Sequence, residues 1–96
     1  MLENYEISWS DYLKYRAKLR GFDLSEIERI VRFSSERYFD VATGRNIVVG
    51  RHCERLVLIP YELIEEKIVP ITIHATTRQQ VNFRIHNGRF VYVQSI

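Results

Sequence analysis

Ninety-six residues carry 14 Lys and Arg against 12 Asp and Glu, and 46% of them are hydrophobic, including six Tyr, five Phe and one Trp. That length and apolar content predict one α+β domain over residues 1–96, with a core of its own and no second domain. The single cysteine, Cys53, excludes an internal disulfide and any multi-cysteine metal site. No apolar run approaches the roughly 18 residues of a membrane span, and the first residues are acidic where a secretion signal is basic and then apolar, so the expected compartment is the cytoplasm, without a membrane segment.

In chain order, Tyr5 to Trp9 alternates and reads as a short strand. Ser10 is an N-cap residue, and the run Asp11 to Arg20 contains no Gly or Pro and stops at Gly21, which predicts a first helix. Its apolar stripe is read as Tyr12, Tyr15 and Leu19, flanked by Leu13 and Ala17, with Lys14 and Lys18 on the solvated side. Asp23 with Glu26, or Ser25 with Glu28, offers a capping box for a second helix to about Ser34, with Leu24, Ile27, Ile30 and Val31 at helical spacing.

After Ser35 the residue types become β-branched and aromatic. Tyr38-Phe39 and Asn46 to Val49 flank a turn around Thr43-Gly44 and predict a hairpin. Arg55 to Glu62 is apolar almost throughout, the pattern of a central strand covered on both faces. Pro60 cannot donate to a ladder, so a bulge or a strand exit is expected there. Ile68 to His74 reads as a further strand, Thr76 or Thr77 as the cap of a third helix ending near Asn87-Gly88, and Arg89 to Val93 as a last strand. The sum is two N-terminal helices, a small antiparallel sheet of three to five strands, and one C-terminal helix.

Charge is uneven: residues 1–40 hold 7 basic and 8 acidic side chains, residues 41–96 hold 7 and 4, and eleven of the cations are arginine. Arginine's planar fork suits phosphate and base contact, although arginines paired with nearby carboxylates would look the same in sequence. The P-loop, dinucleotide-binding, HExxH and GxSxG motifs are all missing. His52, His74 and His86 have no His or Cys partner at a ligand spacing apart from adjacent Cys53, so no metal and no other cofactor is expected.

The chemistry-bearing stretch is His74 to Arg84, where a strand passes into a helix. A helix N-terminus offers free N–H groups and a positive dipole end to an oxyanion. Arg78 lies in the first turn, Asn82 one turn on, and His74 at the preceding strand end, while Arg51-His52 follows Gly50 as a second basic pair. The competing reading is ordinary helix capping. For RNA cleavage by its own 2′-hydroxyl, His74 and His52 are the acid/base pair, Arg51 and Arg78 the cations, and Asn82, Arg84, Tyr61 and Phe83 the RNA contacts, with Tyr61 or Phe83 stacking on a base.

Gly50 to Tyr61, followed by Ile68 to Ile73 and Thr77-Arg78-Gln79-Gln80, resembles the BrnT-type toxins of bacterial toxin–antitoxin pairs, within the RelE/ParE-like superfamily. Leu19 to Leu24 with Ile27, Glu28 and Ile30 also resembles the start of a related family of small uncharacterised domains. The resemblance spreads over about Asp11 to Arg84 and implies a RelE-like fold, metal-independent RNA cleavage and neutralisation by a cognate antitoxin protein. The chain departs from that pattern at His74 and Gln80, where the toxins carry arginine and glutamate. A glutamine cannot be a general base. A non-enzymatic protein- or nucleic-acid-binding module is the alternative expectation, and a toxin that inhibits a protein target is a third.

Overall fold

The computed structural model describes residues 2–93. After a 3-10 turn at Leu2–Asn4, the elements are β1 (Glu6–Ile7), α1 (Asp11–Arg20), α2 (Leu24–Phe33), β2 (Glu36–Asp40), β3 (Arg45–His52), β4 (Arg55–Ile64), β5 (Lys67–Pro70), β6 (His74–Ala75), α3 (Arg78–His86) and β7 (Phe90–Tyr92). Local signals explain the helix ends. The Ser10 side chain accepts from Leu13 N–H, and Gly21 closes α1 in the left-handed conformation at φ 74°. Thr77 caps α3 by accepting from Gln80 N–H.

The sheet corrects the expected architecture. Among the described residues it has seven strands in the order β1-β5-β4-β3-β2-β7, with β6 also on β4, and β1 runs parallel to β5. Strands lie before α1 and after α3, so helices and sheet are interleaved. A small antiparallel sheet of three to five strands, the RelE-like arrangement, is therefore not what the chain forms. The physical reason is that β1 and β6 are two residues long and β7 three: residue types mark Tyr5 to Trp9 and Arg89 to Val93 as strands, but such short pieces carry no signal of the sheet they join. They are held by registers that only the assembled sheet supplies.

Alternation on the central strands builds three layers. Val48, Val57, Ile59 and Tyr61 face α1 and α2, where they pack with Leu13, Ala17, Phe22, Ile27, Ile30 and Val31. Ile47, Val49, Leu56 and Leu58 face the other way and pack with Val81 of α3, Tyr38 and Phe90. Gly50 sits where Ile30 presses closest: a Cβ there would stand 2.6 Å from Ile30 Cγ2.

The apolar stripe expected on α1 is also corrected. Leu13 and Ala17 are buried, whereas Tyr12, Tyr15 and Leu19 are 53%, 62% and 64% exposed. Pro60 lies within β4, its carbonyl accepting from Ile71 N–H. The outer ladder lapses between Pro70 and His74, beside the position where Pro60 has no N–H to give. None of the described helices is long and apolar enough to cross a membrane.

Candidate functional site

Register decides which of the charged residues can meet. His74 pairs with Leu58 and so shares its face, toward α3. His52 shares the parity of Val48 on β3 and faces α1 and α2. The two histidines expected to exchange protons with one substrate are thus on opposite faces of the sheet. His52 is buried, its Nε2 accepts from Asp23 N–H at 2.9 Å, and its ring meets Phe22 edge-on at 5.1 Å. That imidazole fixes the α1–α2 connection and presents no nitrogen to a ligand.

The other expected site residues divide in the same way. Arg78 is bound by both guanidinium arms to Glu36, which also accepts from the Tyr38 hydroxyl at 2.8 Å. The Glu36 bond raises the Arg78 pKa against the opposing effect of burial. Its charge is answered within the protein, and Thr77 has already used its side chain as a cap. Asn82 lies on the same stripe of α3 as Arg78. Arg51 is exposed at the end of β3, its guanidinium donating to the Glu54 carbonyl at 3.4 Å and its own carbonyl accepting from Arg29 at 2.8 Å. Tyr61 is buried, its hydroxyl accepting from Arg37 at 3.1 Å, and so offers no face to a base. Phe83 is 67% exposed on the outside of α3.

What does assemble is a cation cluster around His74. Arg20 reaches round the sheet edge from the end of α1, donating to the Ile73 carbonyl at 3.2 Å and standing 3.3 Å from His74 Nδ1. A guanidinium can only donate, so Nδ1 accepts and the neutral ring keeps its proton on Nε2. Partial burial, then the charges of Arg20, Arg16 and Arg84, hold the His74 pKa below the usual imidazole range. Among the described residues, neither Arg16, Arg20 nor Arg84 forms an ion pair; the six pairs present use Lys14, Arg29, Arg32, Arg45, Arg78 and Arg89. Arg16 lies 5.4 Å from the Tyr12 ring centre, beside the exposed Tyr15.

A cleft of about 450 Å³ opens next to the cluster, between α3 and the β3–β4 surface that this short helix leaves uncovered. Ile47, Leu58 and Phe90 form its floor, and Gln80 and Arg84, one turn apart on α3, form one wall. The far end is closed by Asp40 and Arg89, joined through both carboxylate oxygens at 2.8 and 2.9 Å. Those bonds hold the Asp40 carboxyl at about 2, below its ordinary 3.8. No three His, Cys, Asp or Glu side chains come together as a metal site among the described residues.

Of the residues expected from sequence, then, His74 and Arg84 meet in one place, and Arg16 and Arg20 join them unannounced. The signal for the latter was the run Lys14, Arg16, Lys18, Arg20 with one carboxylate, Asp11, on the same helix. Comparison with protein-family models, with curated proteins and with solved structures finds no match for this chain.

Proposed function

We propose that this chain binds single-stranded RNA, as a cytoplasmic nucleic-acid-binding module, with backbone phosphates on the cluster of Arg16, Arg20, Arg84 and His74. The observation that carries the reading is that three arginines stand around one histidine with no carboxylate among the described residues answering any of them. Unpaired arginine forks are phosphate receptors. Tyr12 and Tyr15, exposed beside Arg16, add faces on which bases can stack, a sequence-tolerant contact of about 1–3 kcal/mol per base.

The test is fluorescence anisotropy with short labelled RNAs at two salt concentrations. Arg20→Ala and Arg84→Ala each remove a charge-assisted contact of about 1.5–3 kcal/mol, so affinity falls about tenfold or more and the salt dependence becomes shallower. Arg78→Ala, whose charge belongs to Glu36, leaves binding unchanged. Equal binding by all three variants and the parent protein overturns the reading.

A second reading, a toxin-type ribonuclease neutralised by an antitoxin, draws support from the neutral His74 held among cations. In it the Arg20 guanidinium leaves His74 Nδ1 for the substrate phosphate, the freed nitrogen takes the 2′-hydroxyl proton, the oxygen attacks phosphorus to give a 2′,3′-cyclic phosphate, and the departing 5′-oxygen is protonated by water, because His52 is walled off. Incubation with RNA in EDTA separates the two: cyclic-phosphate products that vanish in His74→Ala support cleavage, and intact RNA in a complex leaves binding alone.

A further inference from the structure

We propose that the cleft beside His74 receives the base and ribose of a single nucleotide, whose phosphate rests on Arg84 and His74. The inference rests on the RNA reading of the cluster and adds what the cluster alone does not specify, a pocket for one base and its ribose. The cleft's size, about 450 Å³, falls in the range of small-ligand sites. Its charged and apolar parts are separated in the order that a nucleotide requires. Arg84 and His74 stand at the mouth, the apolar floor of Ile47, Leu58 and Phe90 lies within, and the lining cations Arg45 and Arg89 are each paired to a carboxylate, Glu62 and Asp40.

Depth limits the occupant to one unit. Register sets the direction of the cleft along β4, from Leu58 opposite His74 to Pro60 opposite Ile47. Beyond that point the Asp40–Arg89 pair closes it. Asp40 is the one carboxylate of the lining, and its two oxygens are engaged by Arg89 and by Ala42 N–H, so it does not repel an anion at the mouth.

Gln80 supplies a polar contact for the base edge. The Thr76 hydroxyl donates to Gln80 Oε1 at 3.1 Å, which turns the amide so that Nε2, with two N–H donors, is left for a ligand. Donors facing the cleft suit a base that presents carbonyl oxygens on its edge, uracil or guanine. Adenine presents an amino group there and suits the amide turned over, with Nε2 donating to the Thr76 hydroxyl and Oε1 facing the base.

Titration of the folded full chain with 3′-UMP, 3′-GMP, 3′-AMP, uridine and inorganic phosphate, followed by amide chemical shifts, tests this. Expected are UMP and GMP binding at least about tenfold tighter than phosphate or uridine, with shifts at Gln80 and Thr76. AMP should bind with the amide turned over, and Gln80→Leu should weaken all three nucleotides. Gln80→Trp, at an exposed helix position, should fill the cleft and bring UMP down to the affinity of phosphate while oligonucleotide binding keeps its salt dependence. Phosphate binding as tightly as UMP, or UMP binding unchanged by Gln80→Trp, overturns the cleft assignment. If oligonucleotides bind through the arginines and UMP shows no advantage, the cleft proposal fails and the RNA reading stands. If UMP binds in the cleft and oligonucleotides do not bind at all, the RNA reading fails instead.

Discussion

Replacing His52 and His74 in turn separates a histidine that holds the fold from one that faces a ligand. His52→Ala removes an edge-on contact with Phe22, worth about 0.5–1.5 kcal/mol, and the acceptor for Asp23 N–H, whose loss costs about 1–3 kcal/mol. Asp23 is itself exposed, so water recovers part of the second term and the total is about 2 kcal/mol. At about 4–8 °C per kcal/mol for a domain of this size, the melting temperature falls by roughly 8–16 °C. His74→Ala removes an exposed ring pressed by Arg20, and its melting temperature should move by no more than a few degrees. RNA affinity should show the reverse: retained by His52→Ala below its melting temperature, weakened by His74→Ala. Circular-dichroism melts paired with anisotropy titrations read both quantities. A His52→Ala protein that melts like the parent and binds RNA more weakly than the parent would refute the placement of His52 as structural and restore it to the proposed site.

Gly50→Ala should cost about 1–3 kcal/mol by overpacking, because its Cβ meets Ile30 Cγ2 at 2.6 Å; in an Ile30→Ala background the same change should cost almost nothing, and additive losses in denaturant melts would contradict the packing. Asp40, buried and held at about 2 against an ordinary 3.8, is a carboxylate with a depressed folded-state value, so its contribution is complete above about pH 4 and lost as pH falls through about 2. It is worth about 2 kcal/mol, and Asp40→Asn should flatten the acid limb of a stability-against-pH curve. His74 has the opposite charge logic: its folded value lies below 6.5 under burial and the charges of Arg20, Arg16 and Arg84, so the unfolded chain takes up the proton first and stability declines as pH drops below 6.5. NMR titration of the ring should show the depressed value, and His74→Ala should abolish that part of the slope.

The ends of α1 were readable because their causes are local. Ser10 and Gly21 lie beside the helix they close, and neither needs a distant partner. Its buried face was not readable on the same terms. Tyr12, Tyr15 and Leu19 make a larger apolar stripe than Leu13 and Ala17, yet the smaller pair faces the core. Periodicity identifies an amphipathic helix without weighing a close helix–sheet approach, which small side chains permit, against apolar area, which favours the tyrosines. The strand count failed for a related reason. β1 joins β5 through residues 6 and 67, a pairing no window of sequence contains.

Site residues divided by the same distinction between local and long-range causes. Arg78 looked suited to phosphate because it stands in the first turn of a helix, and within its own segment nothing opposes that. Glu36, which takes its charge, is 42 residues away. Arg20 sits 54 residues from His74 in sequence and 3.3 Å from it in space. Sequence counts cations, whereas function depends on the cations left over once the fold has assigned carboxylates to the rest. Here the six ion pairs among the described residues keep Lys14, Arg29, Arg32, Arg45, Arg78 and Arg89 occupied. Among the described residues Arg16, Arg20 and Arg84 form no ion pair, because Asp11 of α1 is taken by Lys14 and no Asp or Glu follows Glu66 in the chain, and those three gather where the edge of the sheet turns from α1 to the cleft under α3.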